Sequence, residues 1–213
     1  IGLAVDTWNT EFTELDPYRG LNANMHTTEA FLAVADATGN NTYRVRAGRI
    51  IDHVIEWAEH NGWRIPEHFK SDWSVDLECN ADKKDDQFKP YGATPGHGIE
   101  WARLIVQWAL SSFANRDGAR PYIDAAEHLF ARAVDDAWNV DGAQGLVYTT
   151  DWNGMPVVTD RMHWTAAESL NTAATLHAAT GEARYADWYA TFARYVDEHV
   201  IDHEGGSWFH QLD

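Results

Sequence analysis

The sequence holds a single cysteine, Cys79, in 213 residues. No disulfide can form within the chain, and a thiolate metal site needs more thiols. Basic residues are scarce. Sixteen lysines and arginines stand against 33 aspartates and glutamates, a formal net charge of −17. Nucleic acid and anionic membranes both select for a basic patch, so neither is expected as a partner. No apolar run approaches the ~18–20 residues of a membrane span. No basic segment followed by an apolar core marks a signal peptide. Together with the lone cysteine, this fits a cytoplasmic location. Glycine (15) and proline (6) are not enriched, and no low-complexity block is visible, so disorder is not expected. A starting methionine is lacking too. The chain opens at Ile1 and closes on Gln211-Leu212-Asp213, which reads as a fragment of a longer protein.

What is present is a core and a helical rhythm. Hydrophobic residues make up 45% of the chain and aromatics 13%, enough for one sizeable core and a single domain over 1–213. Six helices are expected. The first covers 21–38, with Met25, Phe31, Leu32 and Val34 among many alanines, and ends at Gly39. The second covers 42–60, with Val45, Ile50, Ile51, Val54, Ile55 and Trp57 on one face. An irregular stretch follows from 63 to 96, long enough to suggest a functional loop or a lid. Within it, Asp82-Lys83-Lys84-Asp85-Asp86 reads as a solvated loop. Helices three to six are expected at about 97–113, 121–138, 161–180 and 183–201. Pro121 would sit in the first turn of the fourth. Residues 145–159 carry Asn153-Gly154 between two apolar segments and read as a β-hairpin. Residues 205–210 read as another short strand.

A weak repeat runs through the helices. Ala37-Thr38-Gly39 followed by Tyr43 recurs as Ala179-Thr180-Gly181 followed by Tyr185, and Asp117-Gly118 followed by Tyr122 echoes it. Repeated helical hairpins build a solenoid or a closed toroid. The expected class is therefore all-α: a partial (α/α)6 barrel, three hairpins of six, with short β-hairpins at the rim.

Two pairs carry candidate chemistry, His26-x-x-Glu29 and His97-x-x-Glu100. Residues three apart share a helix face, so each pair presents an imidazole and a carboxylate together. Two such pairs on inner helices could converge on one cavity. Proton transfer next to a carbonyl needs a base that titrates near neutrality, and histidine suits it. Thr94-Pro95-Gly96 places His97 at a helix start, where the positive end of the helix dipole disfavours an imidazolium. The bland reading is a capping histidine beside a solvated glutamate. A di-iron bundle uses Glu-x-x-His with further glutamates; here the order is reversed, and no metal or cofactor is expected. Trp164 and Glu168, four apart, resemble sugar sites in which a ring covers the apolar face and an acid holds hydroxyls. Asn22, one turn before His26, and Trp101, beside Glu100, are further candidates. Trp57, Trp108, Trp138 and Trp188 read as core. His53, His60, His128, His177 and His199 read as structural, whereas His163 and His210 stay open between a rim site and structure.

These residues carry a resemblance. Residues 18–30, Tyr-Arg-Gly-Leu-Asn-Ala-Asn-Met-His-Thr-Thr-Glu-Ala, resemble a motif of the N-acylglucosamine 2-epimerase superfamily. So do residues 94–104, Thr-Pro-Gly-His-Gly-Ile-Glu-Trp-Ala-Arg-Leu, and the Trp164-x-x-x-Glu168 pattern. Residues 63–69, 147–152 and 206–213 are similar to its mannose isomerase branch. The resemblance covers essentially the whole chain. It implies an (α/α)6 barrel and metal-independent interconversion of a free aldose and ketose through a cis-enediolate. His97 would transfer protons, Glu100 would support it, and His26 would assist ring opening or hold substrate oxygens. Asn22 and Trp164 would line the sugar site. Glu29 and Glu168 match motif positions, and Trp101 and His210 are sugar-site candidates beside them. A second histidine, in a Lys-Pro-Asp-x-Tyr-His motif, and an arginine from the N-terminal helices are also implied. Neither is found here, so the chain reads as about half a barrel that is not fully active alone. The partner implied is a monosaccharide; nothing bears on oligomeric state. A 2-epimerase on the same scaffold is the nearest rival. A helical-barrel glycoside hydrolase, using Glu29, Glu100 or Glu168 as its two carboxylates, and a non-catalytic sugar-binding protein are the others.

Overall fold

The computed structural model describes residues 2–212, and the chain divides into two units, Ile1–Ala93 and Thr94–Asp213. In the first, β1 (Arg19–Gly20) leads directly into α1 (Leu21–Thr38). Leu21, Met25, Thr28, Leu32 and Ala35 are buried along α1 at intervals of three and four, the spacing of one helix face. Gly39 ends the helix at φ 69° and returns its N–H to Ala35 O, a left-handed cap that a Cβ would strain. Asn40 then caps α2 (Asn41–His60), its side chain accepting from Thr42 N. Ala47, Ile50, Ile51, Val54 and Ala58 line the buried face of α2. Burial of an Ile or Val side chain contributes about 1.5–3 kcal/mol, so this short stripe is enough to set the rotation of the helix.

The stretch after α2 is irregular, as expected, but it is tied down. Within it β2 (His68–Phe69) pairs antiparallel with β1, and Ile65 to Phe69 are buried. The His68 ring is bonded on both nitrogens, to Tyr18 Oη and to Pro90 O, each at 2.8 Å. Burial and the nearby Asp6 and Glu67 carboxylates hold the Tyr18 hydroxyl protonated well above its ordinary range. Lys83 pairs with Asp86 at 2.7 Å on the surface, so the charged run is the solvated loop read from the sequence.

The second unit opens with α3 (Pro95–Ser112), buried on nearly every side, and α4 (Arg116–Ala137). Helix α4 starts five residues before the position read from Pro121. Asn115 caps it by accepting from Gly118 N, and this local cap outweighs the proline signal. Gly118 therefore lies inside the first turn and is not the helix-ending equivalent of Gly39. A hairpin follows, β3 (Thr149–Thr150) with β4 (Pro156–Val158). Then β5 (Arg161–Met162) precedes α5 (His163–Thr180), so α5 starts two residues later than expected. Gly181, at φ 76°, ends α5 as Gly39 ends α1. Helix α6 (Ala183–Tyr195) passes into one π-helical turn, Val196–Val200, and stops there, because Ile201 belongs to β6 (Ile201–Asp202). Strand β6 pairs with β7 (Ser207–Trp208), and β8 (Gln211–Leu212) returns to β5. Trp138 packs edge-on against Phe192 at 5.1 Å and Tyr195 at 5.5 Å, which joins the end of α4 to α6. Among the described residues the secondary structure is all-α in class, six helices with short strand pairs.

Candidate active site

The second unit gathers one group of expected residues. Pro95 starts α3, where its missing N–H leaves no donor unmet, and His97 is the third residue of the helix. Trp164 is the second residue of α5. Their rings lie 5.3 Å apart. Further along both helices, Arg103 Nε donates to Glu168 Oε2 at 2.8 Å. Contacts at both levels mean that α3 and α5 run side by side in the same direction. Such close approach depends on Gly96. A Cβ there would lie 2.7 Å from Trp164 Cη2 and from Thr165 Cγ2. The indole is also met edge-on by Tyr148, at 6.4 Å and 87°.

Glu100 is 5% exposed, and its carboxylate lies 3.6 Å from Arg103. One guanidinium thus faces two carboxylates, Glu100 on its own helix and Glu168 on the next. The Glu168 side chain is the more open of the two, at 21% against 7%. Chemically, this unit offers an imidazole beside a flat aromatic face, with oriented carboxylate acceptors one to two turns away. Trp101 is placed differently from the expectation. It is 1% exposed, a ring buried in the core. At this position on α3 the side chain turns inward, and proximity in sequence to Glu100 does not make it a neighbour on the same face.

His210 and His163 come together. The His210 carbonyl accepts from His163 N at 3.2 Å, with His163 Nδ1 at 3.0 Å, and the two rings lie 4.9 Å apart. Both contacts sit at the start of α5, one residue from Trp164. Nearby, the buried Arg161 forks onto Asp141 at 2.5 and 2.7 Å and bonds the carbonyls of Ala143, Gln144 and Thr159. This clamps the loop before β3 onto β5. The guanidinium holds the Asp141 carboxyl down at about 2.

The first unit carries the other expected residues on α1. Asn22, His26 and Glu29 fall at i, i+4 and i+7, one stripe of the helix. His26 Nδ1 lies 3.6 Å from Glu29 Oε2, with the two side chains 59% and 46% exposed. The stripe is held from behind by Asn24, which is fully buried. Its side chain accepts from Ala4 N at 2.8 Å and donates to Ala4 O and Gly20 O. Asp6 accepts from Gly20 N, and burial pushes its carboxyl up.

The sequence reading missed Arg103, Tyr148 and Gly96 as contributors. Arg103 had a visible signal: a charge inside Trp101-Ala102-Arg103-Leu104-Ile105-Val106 has to find a partner. Tyr148 and Gly96 lie within segments that carried the family resemblance, but nothing local marked their contacts, which are made to Trp164 on another element.

The whole chain, residues 1–213, matches the family model described as N-acylglucosamine 2-epimerase (GlcNAc 2-epimerase). It is 43% identical over 213 residues to a D-mannose isomerase of Thermobifida fusca, covering 100% of this chain and 52% of that protein. A crystal structure of a D-mannose isomerase superposes with TM-score 0.93 at 33% identity, covering 100% of this chain and 53% of the other. The cellobiose 2-epimerase of Spirochaeta thermophila superposes with TM-score 0.76 at 20% identity, over 98% of this chain and 50% of the other. The chain spans about half the length of the curated relatives it matches. These neighbours are (α/α)6 barrels, and the six helices here share that class of fold.

Proposed function

Because this chain belongs to the N-acylglucosamine 2-epimerase family, we propose that the protein carrying it is an aldose–ketose isomerase of the D-mannose to D-fructose type. The observation that carries the reading is the α3–α5 group: His97 against Trp164, with Glu100 and Glu168 both facing Arg103. In the proposed reaction Trp164 lies along the apolar side of the open-chain sugar. His97 takes the proton from C2. The C–H electron pair becomes the C1=C2 bond, and the carbonyl pair moves to O1, which acquires a proton. Loss of the O2 proton then forms the C2 carbonyl, and a proton is delivered to C1. Glu100 and Glu168 accept hydrogen bonds from sugar hydroxyls and hold the sugar in register. His26 carries its role in ring opening or in holding substrate oxygens, and Asn22 its place in the sugar site, from their motif; Glu29 stands beside His26 at 3.6 Å. A monosaccharide is the partner, and the chemistry needs no metal or cofactor. General acid–base catalysis of this kind contributes about 10²–10⁴-fold, and replacing His97 by Asn removes it.

The relatives named as 2-epimerases favour a second reading, inversion at C2 of a free sugar or of a reducing-end glucose. It shares the first proton transfer and differs in where the proton returns. Incubating the full-length protein with D-mannose in D2O separates the two. Fructose carrying deuterium at C1 supports isomerisation; glucose carrying deuterium at C2 supports epimerisation. If neither forms, or if His97→Asn keeps full turnover, the reading is wrong. Release of reducing sugar from an oligosaccharide would point instead to hydrolysis.

A further inference from the structure

Arg103 is 5% exposed, and a guanidinium kept from water is costly unless its donors meet acceptors. Here Nε reaches Glu168 at 2.8 Å on α5, and Nη2 lies 3.6 Å from Glu100 one turn back on α3. Nη1 is 3.4 Å from Gln107 Oε1. The guanidinium is a planar fork with donors at fixed angles, so whatever it bonds is fixed in orientation as well as in charge. Glu168 is the more accessible of the two carboxylates, with its side chain 21% exposed against 7% for Glu100. It lies one turn along α5 from Trp164, on the same face.

Resting on the sugar-isomerase reading above, we infer that Arg103 is the positioning residue of this site. It sets the orientation of the Glu168 carboxylate, and steadies Glu100, so that sugar hydroxyls meet an acceptor in one geometry. Arg103 acts through Glu168 and does not touch the sugar. Lysine at this position keeps the charge but replaces the fork by a single flexible ammonium, so the conservative change is not expected to be silent.

The test is a double-mutant cycle on the full-length protein, using Arg103→Lys, Glu168→Gln and the pair. Two readouts are taken: turnover of D-mannose, and calorimetric binding of D-mannitol, an unreactive open-chain polyol. Each single change is expected to weaken both readouts about tenfold, the scale of one charged hydrogen bond. The pair is expected to be no worse than the weaker single variant, because both changes break the same contact. A structural arginine would lower the folded fraction yet leave mannitol affinity per folded molecule intact. That result, an unchanged Arg103→Lys variant, or losses that multiply to about a hundredfold would each overturn the inference. If Arg103→Lys does not fold, Arg103→Gln combined with Glu168→Gln, a neutral pair, is compared with Glu168→Gln alone by the same criterion. A parent protein that binds mannitol without isomerising any aldose defeats the isomerase reading and leaves Arg103 to be judged on binding. A parent that does neither overturns both.

Discussion

Replacing Gly96 by alanine probes the contact on which the α3–α5 group depends. Gly96 is the second residue of α3. The added methyl would lie 2.7 Å from Trp164 Cη2, 2.9 Å from Cζ3 and 2.7 Å from Thr165 Cγ2, all well inside van der Waals contact. Thr165 cannot turn away freely: it is 3% exposed and its hydroxyl donates to Met162 O at 2.7 Å. The strain therefore falls on the indole, which has to leave its place beside His97. Overpacking of this kind costs about 1–3 kcal/mol. Alanine regains less than ~1 kcal/mol of helix propensity over glycine, and less again at a helix start. The net loss is about 1–2 kcal/mol, or roughly 5 °C in melting temperature for a chain of this size. Urea unfolding of parent and variant measures it, and turnover on mannose should fall with the displaced ring. A control background, Trp164→Phe with Thr165→Ser, removes the three clashing atoms and keeps the bond to Met162. In that background Gly96→Ala should cost less than half as much. An equal cost in both backgrounds, or none in the parent, would refute the packing argument.

Three other outcomes follow from the same structure. Asp141 is held at about 2 by Arg161, below its unfolded value of 3.8, so its contribution is present above pH ~4 and is lost as pH falls toward 2. A shift of that size is nominally about 2 kcal/mol, reduced by solvent screening at this open site to about 1. The stability gap between parent and Asp141→Asn in urea titrations should close between pH 5 and 2, and a gap that stays constant would contradict it. Asn115→Ala removes the cap of α4 and should cost about 1 kcal/mol, read from the same unfolding curves; no change would mean that Pro121, not Asn115, governs the start. Tyr18→Phe leaves the buried Nδ1 of His68 without the hydroxyl at 2.8 Å, at about 1–3 kcal/mol. Hydrogen exchange should then rise around β1 and β2, and unchanged protection there would show that this bond does not hold the pair.

Helix positions were legible because their signals are local. The apolar spacing of α1 and α2, the left-handed glycines 39 and 181, and the solvated charges at 82–86 all act within a few residues along the chain. The errors of reading arose where two local signals competed. Pro121 suggested a start for α4 that the Asn115 cap overrode, and the period of α6 gave no warning of the π-helical turn, since one extra residue disturbs the pattern only once. Trp101 shows the limit for site residues: adjacency to Glu100 suggested a sugar-facing ring, but the helix turns ~100° per residue and carries it into the core.

The sequence by itself determined which polar side chains are presented together, because an i, i+3 pair such as His97 and Glu100 or His26 and Glu29 shares a helix face wherever the helix lies. Tertiary structure alone decided what those side chains meet. Arg103 finds Glu168 sixty-five residues away, His163 meets His210 forty-seven residues away, and His97 lies against Trp164 because glycine at position 96 lets two helices approach. Such meetings depend on how each helix is rotated about its axis and how closely it packs. The whole buried face of a helix sets both, and no local run of residues contains that information.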